Sequence, residues 1–126
     1  MLSIESGNFF KEKFLDEFLS MCEHRNGYRR EKAVRRLGML GNPLAIPKLI
    51  VRANDWVPQV RTAAREAILQ LAVHNNAEVF IQCLPELYHL KKCRRYNHNR
   101  LIKSVETFLL SKENVTYLIN NISFIV

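Results

Sequence analysis

The sequence predicts an all-α fold of roughly seven short helices, and three observations predict it. Apolar residues recur at helical spacing almost from end to end. The breaks between them carry residues that end and start helices. One helical pattern also returns at a constant offset of 31 residues. No stretch sustains period-two alternation, and four Gly with four Pro supply few tight turns, which argues against an all-β chain.

The stripes follow in order. Phe10, Phe14, Phe18 and Cys22 step by four, widened by Leu15 and Leu19. Ala33, Leu37 and Leu40 form the second stripe; Ile46, Leu49, Ile50 and Ala53 form the third. Val57, Val60, Ala64, Ala67, Ile68 and Leu71 make the fourth, and Phe80, Cys83, Leu84 and Leu87 the fifth. Leu101, Ile102, Val105, Phe108 and Leu109 come next, then Val115, Leu118, Ile119 and Ile122. Spacings of three and four place each set on one helix face.

Punctuation separates them. Gly41-Asn42-Pro43 divides the second stripe from the third, with Gly suited to a helix end and Pro to a first turn. Asn54-Asp55 precedes the fourth helix, where Pro58 again suits a first turn. His74-Asn75-Asn76, Asn97 to Asn99 and Ser111 to Asn114 mark later breaks. Pro85 falls inside an otherwise helical run and either kinks or splits that helix.

Short helices joined by short breaks form antiparallel hairpins, and here they repeat. Arg30, Ala33, Leu37 and Leu40 match Arg61, Ala64, Ile68 and Leu71, with Ala at 33 and 64 allowing two helices to approach closely. The chain divides as one domain: residues 1–26 an N-terminal capping helix, 28–56 a first repeat, 57–91 a second, and 97–126 a degenerate third.

The stretch from Gly41 to Ala72 resembles a HEAT repeat of the short type found in the phycobilisome-lyase group. The matching residues are GNP at 41–43, AIP at 45–47, KLI at 48–50, Asp55, PQVR at 58–61, Ala64 and Ala67-Ile68. The resemblance implies a right-handed α-α superhelix, a HEAT-like solenoid of about three helical hairpins. It also implies that Asp55 and Arg61 are structural, bonding neighbouring units together. Val57 stands where the family usually has a second polar residue, which puts the family's helix cap in question there. Trp56 stands where the family has Pro or another loop residue, and reads as a packing plug or an interface anchor. DWVPQVR is also similar to a segment of the HEAT-like DNA glycosylases, which surround a damaged nucleotide with Trp, Asp and Arg. Those enzymes need several aromatic residues and a longer array, whereas this chain has one Trp.

Catalytic motifs are missing. There is no GxSxG, no phosphate-cradling glycine loop and no paired-carboxylate segment, so the reading is a non-enzyme with no catalytic residue and no cofactor. His89, Cys93 and His98 are three candidate ligands without a fourth, set among Lys91, Lys92, Arg94 and Arg95, so no metal is expected. Cys22, Cys83 and Cys93 are odd in number and lack a CxxC pair, which fits free thiols in a reducing, cytoplasmic setting. No apolar run reaches the roughly 20 residues that span a bilayer, so no membrane partner is expected.

Charge carries more information. Residues 25–36 hold Arg25, Arg29, Arg30, Lys32, Arg35 and Arg36 against Glu31, and residues 91–103 hold Lys91, Lys92, Arg94, Arg95, Arg100 and Lys103 with no acid. The rest of the chain is net acidic, so the +7 charge is concentrated in these runs. Such concentration describes either two solvated helix faces or one face for an anionic partner. The expected partner-binding set is Arg29, Arg30, Arg35, Arg36, Trp56, Lys91, Lys92, Arg94, Arg95 and Tyr96. The expected function is a binding module for an acidic protein partner, acting as a monomer or in a heterocomplex, with nucleic acid as the alternative. A bacterial immunity protein that plugs a toxin, or an adaptor, would fit this size. The closing NNISFIV, with Phe124, Ile125 and Val126, reads as a tail packed on the domain, covered by a partner, or cut from a longer chain.

Overall fold

A computed structural model describes the backbone of residues 4–120 and the side chains of residues 12–120. The fold is all-α. The described residues form α1 (Ile4–Met21), α2 (Gly27–Leu40), α3 (Ile46–Arg52), α4 (Pro58–Leu71), α5 (Ala77–Gln82), α6 (Leu84–His89), α7 (Asn99–Leu109) and α8 (Val115–Asn120). Single 3-10 turns precede α3 and α5 and follow α6, and no strand occurs among these residues. The eighth helix arises at Pro85: the fifth stripe is split at Cys83 into α5 and α6, because proline cannot donate a backbone bond within a continuous helix. The helix expected within residues 1–26 spans Ile4–Met21.

Local chemistry sets the ends. Asn26 caps α2 by accepting from the N–H groups of Tyr28 and Arg29, and Gly41 ends it in the left-handed region at φ 70°. Asn42 accepts from the N–H of Leu44, and Pro58 opens α4.

Helix α2 packs against α1 and α4, and α3 against α4; α5 then meets α7 and α8. Ala33, Leu37, Ala64, Ile68 and Leu71 are all buried, so the two matched stripes face the core. Gly38 sharpens the close approach: a Cβ there would stand 2.9 Å from the Cβ of Ala67 and 3.0 Å from its Cα. The α1 stripe differs from expectation. Leu15 and Cys22 are buried, whereas Phe14 is 47% exposed and stacks on Phe18. Helix α1 packs chiefly on α2, so one edge of its apolar face stays open. Phe124, Ile125 and Val126 lie outside the described residues. No helix among the described residues is long and apolar enough to cross a membrane.

Candidate interaction surface

The loop between α3 and α4 is organised by Asp55. Its Oδ1 accepts from the N–H of Val57 at 2.9 Å, an Asx turn that fixes the loop entering α4, while Val57 at the N-cap position makes no side-chain cap. The same carboxylate accepts from Arg30 Nε at 2.9 Å and Nη2 at 3.0 Å, and from Arg52 Nη1 at 2.9 Å. Burial pushes the Asp55 carboxyl up, but the bonds from Arg30 and Val57 and the charges of Arg30 and Arg52 outweigh it and hold it below its ordinary value. One side chain therefore ties α2, the end of α3 and the start of α4 together.

Arg30 does not belong to the exposed set. It is buried, and beyond Asp55 its Nη1 donates to the carbonyls of His24 and Arg25, both at 3.0 Å. A run of basic residues on one helix necessarily turns some inward, and here the inward one found the only buried carboxylate among the described residues. Arg61 behaves in parallel, donating from Nη1 to the carbonyls of Asp55 at 3.0 Å and Trp56 at 3.4 Å. Trp56 is 68% exposed, with the Arg30 guanidinium 5.9 Å from its ring centre, so it plugs no gap between helices.

The segment before α7 folds onto this loop. Arg95 Nη1 donates to the Asn54 carbonyl at 2.7 Å, and His98 Nε2 lies 3.0 Å from Asn54 Oδ1. That contact assigns the proton to Nε2, leaving Nδ1 as a buried lone pair without a donor. Burial, then the charges of Arg65 and Arg61, hold the His98 ring below its ordinary pKa, which keeps it neutral. Tyr96 packs 5.4 Å from His98, and its ring receives two guanidinium groups, Arg61 at 5.2 Å and Arg65 at 4.8 Å. Beside it opens a notch of about 430 Å³ lined by Arg65, Tyr96, Asn97, Asn99, Arg100 and Leu101.

Charge compensation divides the basic residues. On α2, Arg35 is exposed but bonds Glu31 at 3.1 Å and Glu66 at 2.9 Å. Arg29 and Arg36 are exposed on the other side, lining grooves against α1 with Phe18 and Lys32. Around the α7 loop no described carboxylate lies within ion-pair distance of Arg61, Arg65, Arg94, Arg95 or Arg100. Lys91 lies over the Tyr88 ring at 4.9 Å, and Lys92 and Arg94 face solvent. The structure thus brings Trp56, Arg95 and Tyr96 into the same pair of contacting loops and keeps Arg29, Arg35 and Arg36 on a different helix. Arg65 and Arg100 were missing from the expected set. Arg65 carried a signal, since it follows Arg61 by one helical turn.

His89, Cys93 and His98 do not converge. Cys93 Sγ contacts the His89 carbonyl at 3.8 Å while His98 turns to Asn54, and the described residues hold no cluster of three His, Cys, Asp or Glu placed for a metal. Burial raises the Cys22 thiol and, with the Glu86 charge, takes Cys83 to about 11. Comparison with protein-family models, curated protein sequences and solved structures finds no match to the chain.

Proposed function

We propose that this chain is a non-enzymatic, HEAT-like binding module that recognises an acidic protein partner through the paired loops before α4 and α7. The observation that carries the reading is uncompensated charge. Five arginines gather there with no described carboxylate in reach, while the α2 arginines Arg30 and Arg35 are already paired. Arginine beside an exposed tryptophan is the composition of protein interface anchors. The stacked-hairpin part of the proposal is supported by the matched roles of Arg30 and Arg61, 31 residues apart. A role in toxin immunity or as an adaptor is consistent with it.

Nucleic acid is the second reading, since arginines and aromatics also bind single strands. Tyr96 weighs against it: its ring already packs on two guanidinium groups, Arg61 at 5.2 Å and Arg65 at 4.8 Å, which compete with a base for it. The test is fluorescence anisotropy with labelled polyglutamate and labelled single-stranded DNA of equal charge, across a salt series. Polyglutamate should bind, and Arg65→Glu/Arg94→Glu should weaken it by about tenfold or more, the loss of one charge-assisted bond. Tighter binding of DNA, with a salt slope of about −0.7 per phosphate neutralised, would replace the protein partner with nucleic acid.

A further inference from the structure

The loops before α2, α4 and α7 share a plan. Their N-cap residues are Asn26, Val57 and His98. Two positions before each cap stand His24, Asp55 and Tyr96; four positions after the first two stand Arg30 and Arg61. Arg30 donates to the two carbonyls before its own cap, then turns its remaining N–H groups to Asp55, two before the next cap. Arg61 repeats the first half with the carbonyls of Asp55 and Trp56. In the second half it meets Tyr96, a ring where the preceding unit has a carboxylate.

The parallel extends to a second arginine. Asp55 takes bonds from Arg30 and Arg52; Tyr96 faces Arg61 and Arg65. Two like charges therefore converge without an acid between them, and Arg100 adds a third at the adjoining notch. A cation–π contact offers a guanidinium no paired acceptor oxygens, so Arg65 meets no two-pronged partner there, whereas Arg61 is bonded only through Nη1 to backbone carbonyls. Helix α7 also begins there without a side-chain cap from His98, so the positive end of its dipole reinforces the arginines.

We infer that the notch between Tyr96 and Arg100 receives an Asp or Glu side chain of the partner, which stands to Arg65 and Arg100 as Asp55 stands to Arg30 and Arg52. This rests on the acidic-partner reading and specifies where its contact is made. A planar two-oxygen group suits the site because the neighbouring unit already holds one between two arginines. Asn97 and Asn99 offer further side-chain donors at the rim.

The test is an NMR titration of the full chain with an acetylated, amidated hexaglutamate peptide, with hexaglutamine as control and inorganic phosphate as competitor. The Tyr96 and His98 rings and the Asn99–Leu101 amides should shift saturably with hexaglutamate alone. Arg65→Gln/Arg100→Gln, checked for an unchanged thermal midpoint, should weaken binding by about tenfold or more, whereas Arg29→Gln/Arg36→Gln should leave it within about twofold. If Arg65→Gln/Arg100→Gln unfolds the chain, the single Arg100→Gln variant, at an exposed site, carries the test. Shifts centred on α2, or an unchanged Kd in the notch variant, overturn the notch and leave the acidic-partner reading standing. No binding of hexaglutamate anywhere overturns both. Phosphate binding more tightly than the peptide at these resonances assigns the notch to a phosphate instead.

Discussion

Arg30 and Asp55 form a two-pronged buried pair, Nε to Oδ2 at 2.9 Å and Nη2 to Oδ1 at 3.0 Å, across 25 residues of chain. It joins the start of α2 to the loop that starts α4, and Trp56 is mounted directly on it. The geometry of the proposed binding loops therefore depends on a pair that is itself invisible to solvent.

Asp55→Ala should destabilise the fold by roughly 3–5 kcal/mol, because it strands the Arg30 charge in a dry site. The carboxylate is 0% exposed and the arginine side chain 5%, so solvent cannot rescue either. Urea unfolding measures this directly. Arg30→Met/Asp55→Leu, which removes both charges, should lose less than the sum of the two single changes. Additive losses would mean that the two groups do not interact.

Stability should fall in acid in a way that Asp55 controls. Its native pKa lies below the ordinary value, so the unfolded chain binds more protons in that window. The contribution is complete above the unfolded carboxylate pKa of about 4 and is lost as pH falls through the lower native value. His98 adds a separate step. Its native pKa is also depressed, so stability falls as pH drops below the unfolded histidine value of about 6.5. Thermal midpoints measured from pH 8 to 2 should show both limbs. Asp55→Asn should flatten the lower one and His98→Gln the upper.

These residues also show what could be read without a structure. The helical periods were legible because spacing alone sets them, and so was the register of Arg30 with Arg61. That register places Arg30 inside, since its match at 61 is structural. A run of arginines in sequence looks instead like an exposed face. The helix turns it, placing Arg35 beside Glu66 and Arg30 on Asp55. Tyr96 in an acid's place was not legible, because a ring shares no chemistry with a carboxylate until the two loops are compared in space. Pro85 left two outcomes open that only the backbone path at Cys83 separates.

Gly38→Ala should destabilise, against the helix-propensity gain of about 1 kcal/mol. The new Cβ would stand 3.0 Å from the Ala67 Cα, and a backbone atom cannot move aside like a flexible side-chain end. Overpacking of this kind costs about 1–3 kcal/mol, so the net loss should be up to about 2 kcal/mol. A raised thermal midpoint would show that α2 and α4 are not held this close.

Trp56 is the only tryptophan, so its fluorescence reads one position. At 68% exposure its emission should be that of a hydrated indole and should be quenched efficiently by acrylamide. Trp56→Ala should change stability by no more than about 0.5 kcal/mol, the usual cost at an exposed surface site. Its loss should be felt in binding instead, at about 2 kcal/mol or more if the ring is an interface anchor. Blue-shifted, protected emission in the free chain, or a large loss of stability in the variant, would return Trp56 to the core. A blue shift seen only when the acidic partner is added would place the ring in the interface, beside the arginines that await a carboxylate.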